Sequence, residues 1–404
     1  MLLFYYALIV LSAMSAVLTL FSCQITRVLD NRYKFTGKEI LRIIFNINEV
    51  IKAKFWRAIH WIISSKYRGF FGGRVDCMIV YPMKEASAGV KVTKWIMKEY
   101  GLRGDRQYLL GYYNKEQDCY EINLLNKKPK MALLRVEYDE QHDKFIYSWP
   151  GKKESFSLPT EVDEVFVKKW SSTGLKEVTI KTYASYTRGI CLDKFVIPES
   201  LKKAMGLPEN TQLLCSIKGK PCTIGVPKHR KITTIFQAYY PLLICSNESM
   251  ETLRKRNLDS SYDLKMVAFR PNLIIKDVPH PFYEDYYEYF DLISNTDCNT
   301  RHTFKAPLRC IRCSLPNVDY EKGSMNENGV MTKTLAKFRR VDENYPYETC
   351  FGKYAVSLDD NFTIEKGDHL DVLLKQVTYW KENPYKKQDR KQVEKSWIEE
   401  EEHQ

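Results

Sequence analysis

The chain opens with an uninterrupted apolar stretch. Residues 2–23 carry no charged side chain, and a helix of that length, at ~1.5 Å per residue, spans about 33 Å, which suits the core of a bilayer. A cleaved signal peptide has a basic start and an apolar core of only ~7 to 15 residues. The pattern therefore predicts a transmembrane anchor over residues 1–23 in preference to a signal peptide.

The next segment is basic and periodic. Residues 24–74 hold 11 Lys and Arg against 3 Asp and Glu, and this placement of charge predicts that the rest of the chain lies on the cytosolic side of the membrane. Within residues 40–62, apolar positions recur every three or four residues, which predicts an amphipathic helix. That helix would lie either on an anionic membrane surface or against the protein's own folded domain.

Short apolar stretches separated by turns dominate the remaining chain. Strands are predicted at residues 75–81, 108–113, 119–125, 145–149, 155–158, 162–168, 177–182, 241–245, 354–358 and 369–374. Two short helices are predicted, at residues 200–205 and 248–257. Strands of this length and spacing, with few helices, predict a mainly β (α+β) fold with two β-barrel-type domains behind the anchor.

Composition changes the picture in two ways. The net charge is +12, but only +5 of it belongs to residues 75–378, so the folded part lacks the basic face of a nucleic-acid binder, and no nucleic-acid partner is expected. The 11 cysteines form no regular disulfide framework, which favours a reducing compartment.

The spacing Cys310-Ile311-Arg312-Cys313 is the most reactive stretch of the sequence. Two thiols three positions apart can bind one metal or form a redox pair. A zinc site needs two further ligands, and the sequence has no second Cys-x-x-Cys. Taken in isolation, the motif favours two half-buried cysteines on a strand.

Cations with defined neighbours form a second group of candidates. Arg270 and Asn272 flank Pro271 and would project to one side of an extended chain, where a guanidinium and an amide form a multi-donor anion clamp. Lys84 ends a predicted strand, and Arg106 precedes another. Each of these, taken alone, is more often a solvated surface charge than a ligand-binding group.

Taken together, these motifs resemble the family of MOSC proteins. The matching segments are Tyr81-Pro82-Met83-Lys84, Gly104-Asp105-Arg106, Phe269-Arg270-Pro271-Asn272, Arg312-Cys313, Phe351-Gly352-Lys353-Tyr354 and Ile364-Glu365-Lys366-Gly367-Asp368. Their order and spacing, over roughly residues 75–374, are most similar to the branch of the mitochondrial amidoxime-reducing component. That branch has an N-terminal MOSC-associated barrel, and the N-terminal anchor is a further likeness.

The resemblance implies a cofactor and a set of ligands. Cys313 matches the cysteine that provides the thiolate on molybdenum, and thus the catalytic and metal-binding residue. Lys84, Arg106, Arg270, Asn272 and Arg312 match the residues that hold the pterin of the molybdenum cofactor and its phosphate. A soft thiolate suits a metal that cycles between oxidation states, and several cations suit a phosphate.

The resemblance also implies an activity and a location. The expected protein is a membrane-anchored molybdenum oxidoreductase that reduces N-hydroxylated compounds, with a b-type cytochrome and its NADH-dependent reductase as electron partners. Its expected location is the mitochondrial outer membrane facing the cytosol, with the endoplasmic reticulum membrane as the alternative. The expected domains are the anchor (1–23), a basic juxtamembrane segment (24–74), the N-terminal barrel (75–205), the MOSC domain (206–378) and a charged tail (379–404).

Two segments of the chain depart from the family pattern. Glu85 follows the lysine where a small Ser or Cys is common, and it would place a carboxylate beside a phosphate. Tyr239 and Tyr240 replace small hydroxyl residues that contact the cofactor. The second hypothesis is therefore a MOSC protein that has lost the cofactor and acts as an anchored binding or scaffold module.

Overall fold

Twenty-four strands and four α-helices make up the described part of the chain. The computed structural model describes residues 70–183, 186–217, 220–221, 233–342 and 345–375. The strands are β1 (Phe70–Val80), β2 (Val90–Val92), β3 (Lys94–Lys98), β4 (Gly101–Leu102), β5 (Tyr108–Asn114), β6 (Cys119–Ile122), β7 (Arg135–Asp139), β8 (Lys144–Ser148), β9 (Ser155–Pro159), β10 (Val178–Lys181), β11 (Tyr186–Cys191), β12 (Thr211–Cys215), β13 (Lys220–Pro221), β14 (Thr233–Thr234), β15 (Leu242–Ser246), β16 (Leu273–Lys276), β17 (Tyr287–Ile293), β18 (Arg301–Lys305), β19 (Arg309–Ile311), β20 (Val318–Asp319), β21 (Ser324–Met325), β22 (Cys350–Ser357), β23 (Phe362–Glu365) and β24 (His369–Lys375). The α-helices are α1 (Glu164–Trp170), α2 (Glu199–Met205), α3 (Asn247–Lys255) and α4 (Val330–Ala336), and 3₁₀ helices lie at Pro129–Leu133, Met266–Phe269, Tyr283–Tyr286 and Leu315–Asn317.

Seven strands close into the larger barrel. Their order is β15-β16-β1-β24-β17-β18-β22, and β22 pairs with β15 to complete the ring. The pairing of β15 with β16 is parallel, whereas β1 pairs antiparallel with both β16 and β24. Because β1 lies beside β16, the segments that follow Val80 and precede Leu273 become neighbours.

Five strands close the smaller barrel, in the order β10-β11-β12-β5-β6. The parallel pairing of β10 with β6 closes the ring, and Leu109, Ile180, Leu214 and Phe236 belong to a hydrophobic cluster of its own. The two closed barrels confirm the mainly β, double-barrel part of the prediction. The domain boundary between residues 205 and 206 stays a prediction, and pairings of β1 with β16 and of β12 with β5 cross it.

Most predicted elements are confirmed, and one is wrong. The two predicted hairpins are β5–β6 and β8–β9, and the two predicted helices are α2 and α3. The stretch 162–168, predicted as a strand, forms helix α1 instead. The side chain of Asp163 caps this helix by accepting a hydrogen bond from Phe166 N at 2.7 Å, a local interaction that satisfies an amide of the first turn and that apolar spacing does not reveal.

The predicted fold class needs a correction where it includes a membrane-spanning helix. No helix in the described part of the chain is both long and apolar enough to cross a bilayer. The four α-helices there have 7, 7, 9 and 7 residues, which at ~1.5 Å per residue is less than half of the ~30 Å that a bilayer core requires. The predicted anchor (1–23), amphipathic segment (40–62) and charged tail (379–404) lie outside the described residues.

A continuous hydrophobic core supports the segment that carries Arg270. Phe269 and Phe351 are fully buried, and their rings stack with a centroid distance of 4.0 Å. Phe269 immediately precedes Arg270, and Phe351 begins the Phe-Gly-Lys-Tyr motif in β22. The stacked pair therefore holds two distant motifs of the sequence against each other.

Candidate functional site

Lys84 lies in a short loop after β1 and points inward. Its amide donates to Tyr108 O at 2.8 Å, and its Nζ donates to Phe236 O at 2.6 Å. Burial lowers the pKa of Lys84 to about 8; the nearby Glu85 carboxylate opposes this shift, and the positive charges of Arg106 and Arg270 add to it. A buried ammonium group with other cations around it is a site of unfavourable charge that an anion would relieve.

Arg106 is held by its sequence neighbour Asp105, which is fully buried. Arg106 Nη1 donates to Asp105 Oδ2 at 2.5 Å, and Nη2 donates to the main-chain oxygen of Arg270 at 3.2 Å. The backbone of Arg106 has φ 52°, a left-handed conformation that costs energy for a residue with a side chain. The tertiary contacts around Asp105 maintain this strained position.

Arg270 follows the 3₁₀ helix Met266–Phe269 and has a left-handed backbone, with φ 56°. The prediction of an extended chain at Arg270 is therefore wrong. Its Nη1 donates to Ser87 O at 2.8 Å and to Ala86 O at 3.2 Å, and Nη2 lies 3.4 Å from Met83 O. The loop that contains Lys84 therefore wraps around the Arg270 guanidinium. Carbonyl groups take several of its donors but neutralise none of its charge.

Asn272 lies next to this group, but its side chain bonds the main chain. Its Nδ2 donates to Ile79 O at 3.3 Å, and its Oδ1 accepts from Leu243 N at 3.3 Å. Asn272 therefore links β1 to the start of β15. The geometry brings Asn272 to the site as a connector of strands rather than as a free amide beside Arg270.

Arg312 follows β19 and is also buried. Its Nη1 donates to Cys310 Sγ at 2.9 Å, and its Nη2 donates to Phe269 O at 3.0 Å. Its Nε is buried and has no hydrogen-bond partner among the described residues. An unsatisfied buried donor on a charged group is costly, so a ligand atom at this position would be stabilising.

The two cysteines of the Cys-x-x-Cys stretch have different environments. Cys310 is buried in β19, whereas Cys313 is exposed. The protein around Cys313 nevertheless raises the pKa of its thiol by desolvation, while the neighbouring Arg312 charge acts in the opposite direction. In the described part of the chain, no three His, Cys, Asp or Glu side chains form a group that could hold a metal ion.

The cations share little compensating charge. The exposed fractions of Lys84, Arg270 and Arg312 are 8%, 6% and 9%. Within the described ranges, Arg106 makes an ion pair with Asp105, but these three make none. We call Lys84, Arg106, Arg270 and Arg312 the cation cluster. Buried charges are normally paired, so the cluster has the electrostatics of an anion site.

Glu85 and two tyrosines adjoin the cation cluster. The Glu85 carboxylate is an electrostatic neighbour of Lys84, Arg270 and Cys313, and one of its oxygens accepts from Leu125 N at 3.1 Å. Tyr239 is an electrostatic neighbour of the Cys310 and Cys313 thiols. Both departures from the family pattern therefore lie near the candidate site.

The tyrosines pack on the Phe-Gly-Lys-Tyr strand. Tyr239 and Tyr240 contact the ring of Tyr354 with centroid distances of 6.0 and 5.8 Å. Burial, together with Cys310 and Cys313 nearby, raises the pKa of Tyr239 to about 12. The ring of Tyr239 therefore lies near both cysteines.

Sequence motifs did not identify every residue of this site. Tyr320 hydroxyl lies 3.4 Å from Arg270 Nη1, and the ring of Tyr81 contacts two of the cations. Tyr81 belongs to the motif Tyr81-Pro82-Met83-Lys84, so its place in the chain could have identified it as a site residue. Tyr320 carries no such signal, because its contact joins residues 50 positions apart in the chain.

Comparisons with known proteins agree with the resemblance in part. Residues 232–371 match the family model of the MOSC domain. The chain is 26% identical over 278 residues to "Molybdenum cofactor sulfurase" from Solanum lycopersicum and 23% identical over 286 residues to the protein of that name from Arabidopsis thaliana. Each alignment covers 65% of this chain and 31% of the relative, so the chain spans about a third of the length of the curated relatives it matches.

The MOSC resemblance is thereby confirmed for residues 232–371. The two relatives are distant homologues of the chain, and both are named for the molybdenum cofactor. The closer likeness to the amidoxime-reducing branch stays a prediction, as do the roles of the individual site residues.

The donor set fits the molybdenum cofactor in charge and in ligand type. The cation cluster has an excess of positive charge for a phosphate, the Arg312 Nε has no partner among the described residues, and the Cys313 thiol is exposed beside it. A thiolate is the soft ligand that such a metal prefers.

Proposed function

We propose that the cation cluster binds the phosphate-bearing pterin of the molybdenum cofactor and that Cys313 is the protein's ligand to the metal. On this proposal the protein is an oxidoreductase that reduces N-hydroxylated compounds. The observation that carries it is the presence of three buried cations, Lys84, Arg270 and Arg312, that make no ion pair among the described residues, with Cys313, an exposed residue, directly after Arg312 in the chain.

Each residue has a defined part in this proposal. Lys84, Arg106 and Arg270 hold the phosphate by charge, and Asp105 keeps the Arg106 guanidinium in place. Desolvation raises the pKa of the Cys313 thiol, and the positive charge of Arg312 opposes that rise, so Arg312 favours the thiolate form. When bound, the cofactor supplies a metal centre that changes oxidation state.

The electron donors and the location are proposed from the resemblance. A b-type cytochrome and its NADH-dependent reductase would supply the electrons. The mitochondrial outer membrane stays the predicted location, with the endoplasmic reticulum membrane as the alternative.

A second candidate function has an observation in its favour. Glu85 brings a negative charge to the cluster, and Tyr239 packs against Tyr354 beside the cysteines. These features would suit a MOSC protein that has no cofactor and acts as a binding or scaffold module.

Metal analysis separates the two candidates. The full chain is purified from a host that makes the molybdenum cofactor, and molybdenum per chain and amidoxime reduction are measured for the wild type, Cys313→Ser and Cys310→Ser. We expect near-stoichiometric molybdenum and reduction in the wild type. Cys313→Ser should abolish reduction and lower the metal content, because a hydroxyl is a hard, poor substitute for a thiolate.

Cys310→Ser is the matched control, since it makes the same atomic change in the same Cys-x-x-Cys stretch. A serine hydroxyl can still accept the hydrogen bond from Arg312 that Cys310 accepts, so reduction should persist. Equal reduction by both variants would show that Cys313 is not the metal ligand. A wild type without molybdenum would favour the scaffold function.

A further inference from the structure

The ring of Tyr81 contacts two members of the cation cluster. The guanidinium carbon of Arg106 lies 4.6 Å from the ring centroid, and that of Arg270 lies 4.3 Å from it. A cation within ~6 Å of the face of an aromatic ring is attracted by the negative potential of that face. A single side chain therefore stabilises two like charges that would otherwise repel each other.

The backbone fixes this ring in place. Tyr81 N donates to Asp105 Oδ1 at 2.9 Å, and Tyr81 O accepts from Arg106 N at 2.7 Å. Because Asp105 also holds the Arg106 guanidinium, the ring and one of its two cations are tied to the same carboxylate. Tyr81 has no exposed surface, so the ring has little freedom to move.

The hydroxyl of Tyr81 contributes nothing comparable. It is buried and has no hydrogen-bond partner among the residues that the structure describes. A buried hydroxyl without a partner costs folding free energy. A phenylalanine would avoid that cost, so the hydroxyl gives no structural reason for a tyrosine here. The aromatic ring does have a structural role, because it contacts Arg106 and Arg270.

We propose that Tyr81 is a positioning residue whose ring holds Arg106 and Arg270 at a fixed separation, so that both cations act on the same anionic group of a ligand. The inference rests on the proposed function, in which that group is the phosphate of the cofactor. It assigns the aromatic face, and not the hydroxyl, as the active part of the side chain.

Tyr147 provides a matched control. It too is fully buried, and its hydroxyl likewise has no partner within the described ranges. Its ring stacks on Phe156 with a centroid distance of 4.9 Å rather than on a cation. Substitutions at Tyr147 therefore report the general cost of changing a buried tyrosine.

The test compares Tyr81→Phe, Tyr81→Leu and Tyr147→Leu in the full chain. Inorganic phosphate is the probe: its dissociation constant is measured by calorimetry in protein from a host without the cofactor, and molybdenum per chain is measured in protein from a host that makes it. Thermal midpoints are recorded for each variant.

We expect Tyr81→Phe to bind phosphate like the wild type, with an equal or higher thermal midpoint. Tyr81→Leu should weaken phosphate binding about tenfold or more and lower the molybdenum content. Tyr147→Leu should lower the midpoint to a similar degree but leave the phosphate affinity unchanged. Rescue by phenylalanine, together with an unaffected Tyr147 variant, identifies a positioning role rather than a structural one.

The inference would be overturned by unchanged phosphate affinity in Tyr81→Leu, by an equal loss in Tyr147→Leu, or by a loss in Tyr81→Phe as large as that in Tyr81→Leu. A wild type that binds no phosphate would also overturn it. A wild type that binds phosphate but never carries molybdenum contradicts the proposed function alone, and the effect of Tyr81→Leu on phosphate then still decides the inference.

Discussion

Two groups of buried cations occupy this fold, and they differ in how their charge is balanced. In the cation cluster, Lys84, Arg270 and Arg312 have no ion pair among the described residues. The second group lies around β19 and β22. There Asp285 Oδ2 is 2.7 Å from Arg339 Nη2 and 3.7 Å from Arg309 Nε, and Asp342 is 3.9 Å from Arg309.

Lys353 completes this second group, which we call the paired network. Its Nζ donates to the main-chain oxygen of Asp285 at 3.2 Å, and it is fully buried. The paired network contains two buried carboxylates, Asp285 and Asp342, as counter-charges for its cations. In the cation cluster, the buried side chains of Lys84, Arg270 and Arg312 make no ion pair with a carboxylate of the described residues. Burial of cations therefore does not by itself distinguish the two groups; the ion pairs that buried carboxylates make in the paired network do.

The largest effect is expected from breaking the paired network. Asp285→Asn keeps the shape of the side chain but removes the charge that faces Arg339 and Arg309. Loss of one partner from a buried charge group costs ~3–5 kcal/mol, and we expect a fall of that size in the free energy of unfolding, measured by denaturant titration. Asp277→Asn, which breaks the half-exposed pair of Asp277 with Arg74 at 3.4 Å, should cost at most ~1 kcal/mol. Similar small costs for both would mean that the network is not a balanced unit.

A smaller effect concerns pH. Burial, reinforced by Arg309 and opposed by Asp285, Asp342 and Glu288, lowers the pKa of Lys353 from its ordinary 10.5 to about 7. Between these two pH values, Lys353 is protonated in the unfolded chain and has released its proton in the folded protein. The contribution of Lys353 to the free energy of unfolding therefore rises as pH increases from about 7 to 10.5. One pKa unit corresponds to about 1.4 kcal/mol, and we expect a rise of at least ~1 kcal/mol.

The measurement is the unfolding free energy of the wild type and Lys353→Met across this range. Other groups also titrate there, but they are common to both proteins, so the difference between the two curves isolates Lys353. A difference that is independent of pH would contradict the lowered pKa.

The smallest effect tests the charge of the cation cluster. Glu85→Gln removes a negative charge beside Lys84 and Arg270, and its amide oxygen can still accept from Leu125 N. Phosphate affinity should increase about three- to tenfold, or ~1 kcal/mol, as expected for one charge acting through a medium of intermediate dielectric constant.

Glu164→Gln is the control for that change. Glu164 forms an exposed ion pair with Lys168 at 3.2 Å, so the same charge is removed from the surface of helix α1 and the affinity should stay constant. Weaker phosphate binding by Glu85→Gln would show that Glu85 supports the anion site instead of opposing it.

The sequence by itself determined many of the elements and the chemistry that was available, although residues 162–168 contribute to a helix and not to the predicted strand. Turn residues between short apolar stretches predicted the hairpins β5–β6 and β8–β9 and the presence of barrels, because those signals lie within a few residues of one another. The motifs around Lys84, Arg270 and Cys313 identified the MOSC resemblance, which the match over residues 232–371 confirms.

Only the tertiary structure decided which of these groups have partners. The sequence placed Arg270 and Asn272 side by side as an anion clamp, yet Asn272 bonds Ile79 and Leu243, and Arg270 bonds Ser87, 183 positions away. Lys84 reaches Phe236 across 152 positions. Local patterns cannot predict such contacts, because the closure of the barrels sets them, and that closure left Lys84, Arg270 and Arg312 without an ion pair in the described part of the chain.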